Sequence, residues 1–195
     1  LDKLYRSLRA SLAKDEYDLD IVSTTEDQQK YIVYFTSDST SGMYLLGDRT
    51  KNELSLLAHA YPQIDETVYG GKERISYKAR DGLTIEGYLT LPVGYKKGDK
   101  LPTIIFPHGG PMARDYANFD YWTALLAYHG YAVLQPNFRG SSGYGYEFLM
   151  QSIQGFGLAM QDDLQDGANW LIEQGIAQPE KICIGGASYG GYAAL

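Results

Sequence analysis

Lys181-Ile182-Cys183-Ile184-Gly185-Gly186-Ala187-Ser188-Tyr189-Gly190 reads as an apolar strand that runs into a tight bend with one serine at its apex. A side chain at such a strand-to-helix turn projects from the end of a sheet, exposed to substrate. The backbone there is crowded, and glycine fills the positions two before and two after the serine. The reaction class this implies is acyl transfer through Ser188. In this arrangement the acid and the histidine follow the serine in chain order, and the chain closes at Leu195. It opens on Leu1 rather than methionine, so the expectation is a segment cut at both ends that lacks the triad aspartate and histidine.

Upstream of the bend the pattern from Leu101 onward is strand, helix, strand, helix, strand. Strands are expected over 102–106, 131–134 and 181–184, and helices over 119–128 and 158–173. Leu164, Ala168, Leu171 and Ile172 make the apolar stripe of the longer helix, with Gln161, Asp162, Gln165 and Asp166 facing away. The alternation predicts a parallel sheet with helices over both faces. Before it, Asp81-Gly82 lies between apolar runs at 74–78 and 83–91, a hairpin signal. Residues 59–72 read as a linker. Four short β-like runs at 20–24, 31–36, 42–46 and 53–57 precede it, spaced like one blade of a β-propeller. A helix is expected over the first dozen residues, from the spacing of Leu1, Leu4, Leu8 and Leu12. The domain expectation is therefore a propeller end over 1–62 and the first part of an α/β domain over 63–195.

With 24 acidic against 17 basic residues and a net charge of −7, the chain lacks the basic surface that nucleic acid rewards. No apolar run approaches a membrane span. A lone Cys183 permits no internal disulfide and is read as a small core residue of its strand. No cluster has metal-ligand spacing, and no cofactor is expected. Cytoplasm and periplasm both stay open as compartments, as does oligomerisation.

His108-Gly109-Gly110-Pro111 follows the strand at 102–106, at the carboxyl end where ligands collect. Attack on a carbonyl builds charge on its oxygen, which aimed N–H groups stabilise. The expected donors are the backbone N–H of Gly110 and of Tyr189, with His108 and Gly109 lining the substrate. Chain order argues against His108 as the base; His129 reads as a helix-end residue, and His59 lies in the linker. Asn137-Phe138-Arg139-Gly140-Ser141-Ser142-Gly143-Tyr144-Gly145-Tyr146 lacks the Gly-Lys-Ser/Thr ending of a phosphate loop. It reads as a shaped loop with Arg139 clamped by carboxylates, Asp163 being the anchor considered; direct substrate contact by Arg139 or Tyr144 is the alternative. Asp162 and Asp163, adjacent on a helix, point about 100° apart and do not make a carboxylate pair.

These stretches, with Ala79-Arg80-Asp81-Gly82-Leu83-Thr84-Ile85-Glu86-Gly87-Tyr88-Leu89 and Ser188-Tyr189-Gly190-Gly191-Tyr192, resemble the prolyl oligopeptidase family of serine peptidases. The likeness lies in its acylaminoacyl-peptidase and dipeptidyl-peptidase-like branch and spans residues 79–195. It implies an α/β-hydrolase fold capped by a β-propeller that admits short peptides. By the same likeness Ser188 is the nucleophile, and Gly110 and Tyr189 supply the oxyanion N–H groups. In some relatives a tyrosine hydroxyl stands where His108 does; here that donor is absent. A carboxylesterase of the same fold and a non-catalytic relative stay open as alternatives.

Overall fold

The structure, a computed structural model, describes residues 2–12, 17–38, 40–65 and 69–195. Leu1 and part of the expected linker, residues 66–68, lie outside the described residues. The chain divides into two compact units, residues 1–71 with 117–121, and residues 72–116 with 122–195.

The first unit is helix α1 (Asp2–Leu12) on a four-stranded antiparallel meander, β1 (Tyr17–Thr24), β2 (Lys30–Ser37), β3 (Met43–Asp48) and β4 (Glu53–His59), in the order β1-β2-β3-β4. Leu4, Leu8 and Leu12 pack with Leu19, Tyr31 and Val33, so the heptad-like leucine spacing faces the inner side of the meander. Each turn carries its own polar stop. Asp48 Oδ1 accepts from the Thr50 amide at 2.9 Å, and Asp27 Oδ1 from the Gln29 amide at 3.0 Å.

The second unit is a five-stranded sheet in the order β5-β6-β8-β7-β9. Its strands are β5 (Lys72–Lys78), β6 (Thr84–Thr90), β7 (Leu101–Ile105), β8 (Ala132–Asn137) and β9 (Ala177–Ile184). The helices are α2 (Tyr121–Tyr128), α3 (Tyr146–Gly155), α4 (Ala159–Glu173) and α5 (Tyr189–Ala193). The sheet is mixed. The β5–β6 hairpin predicted at Asp81-Gly82 joins β8 antiparallel, while β8, β7 and β9 run parallel. From β7 the chain crosses to β8 on one side, then back past β7 to β9 on the other. Right-handed crossovers set α2 and α4 on opposite faces and open a switch point at the carboxyl ends of β7 and β9, where an α/β sheet binds its ligand.

The core joins Ile75, Tyr77, Ile85, Leu89, Ile105, Leu134 and Phe138 to Met160, Leu164 and Leu171 of α4. The stripe read on α4 is thus the buried one, apart from half-buried Ala168 and Ile172. Glycine at 87 lets β6 lie close on β8, since a Cβ there would stand 2.6 Å from the Gln135 carbonyl oxygen. Pro136 is tolerated inside β8 because β7 pairs only as far as Leu134.

One expectation fails. Cys183 is exposed, not a core residue, because among the described residues β9 pairs with β7 alone. Helix α3 was not expected at all: Gly143 and Gly145 before it, with Gly155 and Gly157 in and after it, mask a short apolar set in sequence.

Candidate active site

The strand β9 delivers its last residue, Ile184, to the turn, and Ser188 begins α5 with φ 56° and ψ −119°. That positive φ is costly for a residue with a Cβ, about 1–3 kcal/mol, and it turns the exposed Ser188 side chain out of the sheet. Two glycines make the bend fit. A Cβ at Gly186 would stand 2.8 Å from the Pro107 carbonyl oxygen, and one at Gly190 would collide with the same oxygen. These glycines therefore serve contact between the bend and the end of β7. Gly190→Ala is expected to destabilise by about 1–3 kcal/mol in chemical denaturation, because backbone atoms rather than a mobile side chain must yield. It should also lower turnover by on the order of 100-fold by shifting Ser188; wild-type stability and turnover would show that the bend has room to spare.

The loop after β7 passes beside the serine. A Cβ at Gly109 would lie 3.3 Å from the Ser188 Cβ and 3.8 Å from its Oγ, so a bare residue here leaves the hydroxyl approachable. Gly110 follows with φ 121°.

His108 is placed within this loop, half-buried, with Nδ1 2.7 Å from the Gly109 carbonyl oxygen and Nε2 2.8 Å from Ser141 Oγ. Its ring stacks on Phe138 at 4.4 Å. Burial pushes its pKa down, opposed by the Gly109 hydrogen bond, and the positive charge of Arg114 lowers it further. The neutral imidazole is therefore the folded form at pH 7. The sign for stability follows. The unfolded chain takes up the proton first as pH falls below about 6.5, so the contribution of His108 is full above that value and lost below it. His108→Gln should flatten the fall in melting temperature between about pH 6.5 and 5; an unchanged slope would remove His108 from the account.

Phe138, fully buried, also packs on Tyr189 at 5.2 Å, and Tyr189 on Phe156 at 5.2 Å. One aromatic stack thus ties the ends of β7, β8 and β9. The Tyr189 ring is buried and its hydroxyl pKa is pushed up to about 12 by that burial, so its side chain serves packing.

The loop after β8 is the shaped loop read from sequence. Arg139 is 7% exposed and sends Nε and Nη2 to Asp163 at 2.9 and 2.7 Å and Nη1 to Asp81 at 2.7 Å. Its own amide also donates to Asp163 at 2.9 Å. Arg139 is held as a clamp, anchored as considered on Asp163, with each of its three guanidinium nitrogens donating to a carboxylate. Burial pushes the Asp163 carboxyl up, and the donors from Arg139 pull it back, so the pair is an ion pair at neutral pH. Asp162 points elsewhere, to Arg80 at 2.8 Å.

Tyr144 is half-buried, and its hydroxyl accepts from Arg114 Nη2 at 3.0 Å and from Asn137 Nδ2 at 2.9 Å. Asn137 and Asp115 exchange further hydrogen bonds, Asp115 N to Asn137 Oδ1 at 2.8 Å and Asn137 Nδ2 to the Asp115 carbonyl at 3.2 Å. Ser142 donates its amide to the Ala113 carbonyl at 2.8 Å. Sequence reading missed Arg114 and Asp115; a charged pair directly after a glycine loop was the only signal. His129 is exposed at the end of α2, and His59 is exposed on β4. Among the described residues no three His, Cys, Asp or Glu side chains gather as a metal site, and no helix is long and apolar enough to cross a membrane.

Residues 117–195 match the prolyl oligopeptidase family. Over 97% of its length the chain is 33% identical to dipeptidyl aminopeptidase BIII of Pseudoxanthomonas mexicana, of which it covers 29%. It is 31% identical to dipeptidyl peptidase family member 6 of Caenorhabditis elegans, over 91% of this chain and 27% of that one. The crystal structure of Pyrococcus horikoshii acylaminoacyl peptidase superposes with a TM-score of 0.67 and 27% identity, over 93% of this chain and 29% of that one. The chain spans less than a third of the length of these relatives. Similarity runs through the meander as well as the serine bend, and the family it points to is the prolyl oligopeptidase family.

Proposed function

We propose that this chain is the nucleophile-bearing part of a serine peptidase that hydrolyses short peptides through an acyl-enzyme on Ser188. The observation that carries the reading is an exposed serine held at positive φ with the Gly109 backbone beside its hydroxyl. Ser188 Oγ bonds to the carbonyl carbon and gives up its proton to a base. The C–N bond then breaks, the amine leaves with that proton, and water repeats the attack to free the acid. The N–H groups of Gly110 and Tyr189 receive the oxyanion; in support, neither donates to an acceptor among the described residues. His108 is not the base. Its Nδ1 faces a carbonyl oxygen and its Nε2 faces Ser141, which leaves neither nitrogen for Ser188. The aspartate and histidine of the triad belong to sequence after Leu195, a reading supported by relatives more than three times this chain's length. The meander of the first unit is then the closing blade of a propeller that restricts entry to short peptides.

The test uses the full-length enzyme that carries this chain. A fluorophosphonate should form its adduct on the tryptic peptide containing Ser188, and a peptide and an ester of matched acyl group should both turn over. Turnover of the ester alone would make it a carboxylesterase, and no adduct would make it a non-catalytic relative.

A further inference from the structure

Arg114 sits four residues after Gly110, on the same loop that passes Ser188, and among the described residues it has no carboxylate partner. In the same unit Arg139 and Arg80 both lie on carboxylates. Among the described residues Arg114 has only neutral acceptors: the Tyr144 hydroxyl at 3.0 Å and the Asp115 carbonyl at a long 3.4 Å. Its guanidinium carbon stands 4.5 Å from the Tyr144 ring centre and 5.0 Å from that of Tyr116. Two aromatic faces therefore fix the plane of the cation without quenching it. Gly143 makes room for the edge, since a Cβ there would lie 2.5 Å from Nη1. Tyr144 is held in turn by Asn137, at the end of the fully buried β8. The result is a half-exposed planar fork of rigid placement, with Nη1 unclaimed, in a chain of net charge −7. The donors left to it are those of Nη1, and a guanidinium with one unclaimed edge is matched to one chemical group above others, a carboxylate.

We propose that Arg114 receives a carboxylate of the peptide substrate, with Tyr144 as the residue that positions it. The carboxylate comes from the C-terminus of a short peptide or from an acidic side chain near the scissile bond. This rests on the peptidase reading of the site.

The test takes the full-length enzyme and three peptides of one sequence: the free acid, its C-terminal amide, and the amide with glutamate in place of glutamine beside the scissile bond. The wild type should prefer one carboxylate-bearing peptide over the plain amide by on the order of 10- to 100-fold in kcat/KM, the range expected of a charge-assisted hydrogen bond. Which peptide is preferred names the source. Arg114→Met should erase that preference, and Arg114→Lys, which keeps the charge without the fork, should retain part of it. A wild type without any preference overturns the proposal whatever the variants do, as does a preference that Arg114→Met leaves intact. If no peptide turns over, the peptidase reading falls, and Arg114 is decided by binding alone. Calorimetric titration of the same peptides into Ser188→Ala protein should then show a carboxylate preference that Arg114→Met removes; equal affinities for acid and amide would overturn it.

Discussion

Ser188→Ala in the full-length enzyme is expected to lower kcat by about 10⁴–10⁶-fold. Among the described residues no other hydroxyl-bearing residue sits at positive φ. Ser141 is fully buried, its hydroxyl lying 2.8 Å from His108 Nε2 and 2.6 Å from the Phe138 carbonyl, and Ser152 is buried with its hydroxyl on the Leu149 carbonyl at 2.8 Å. Removing Ser188 Oγ removes the bond-forming atom itself, so the residue of activity is what binding and oxyanion stabilisation leave behind. A second substitution separates chemistry from backbone. Alanine keeps the Cβ and with it the cost of φ 56°, whereas Ser188→Gly relieves it. Glycine should therefore be as inactive as alanine but more stable by about 1 kcal/mol, read from denaturant midpoints. Retention of a tenth of wild-type turnover by Ser188→Ala would place the nucleophile elsewhere.

Asp163→Ala is expected to cost about 3–5 kcal/mol, because it strands a buried guanidinium. Asp163 has no exposed surface and takes three hydrogen bonds from Arg139, two from its side chain and one from its amide. Asp81 holds the same arginine at an equal 2.7 Å but is half in water, where screening leaves such a pair about 0–1 kcal/mol. Asp81→Ala should accordingly be mild, and the contrast between the two measures burial rather than distance. The double change Asp163→Leu with Arg139→Met should recover part of the loss, since it removes both charges together. Equal costs for Asp81→Ala and Asp163→Ala in chemical denaturation would refute this ranking.

Features that rest on local pattern were legible in the sequence. The leucines of α1, the Asp81-Gly82 hairpin, the α4 stripe and the bend around Ser188 each need only a few neighbouring residues, and each is found where it was read. Features that rest on partners far along the chain were not. Cys183 looked buried because its strand is apolar, but burial depends on how many strands flank it. The length of β9 was underestimated because Pro179 and Glu180 interrupt the apolar run, while its pairing with β7 continues on both sides of them. The joining of the loops after β7 and β8 through Asp115 and Asn137 spans 22 residues, with no local spacing to announce it. Arg139 was readable as a clamp because Asp163 lay on a helix already assigned; its second carboxylate, Asp81, lies 58 residues upstream with no local spacing to announce it.

The arginine clamp also has a kinetic meaning. It takes one carboxylate from the hairpin turn 58 residues upstream and the other from α4, 24 residues downstream, so it cannot close until hairpin, β8 and helix have already assembled. A latch of that kind forms late and contributes little to the folding barrier, yet it must open before the sheet comes apart. Weakening it should leave refolding rates nearly unchanged while native molecules unfold sooner, shortening the working lifetime of the fold rather than its ability to form.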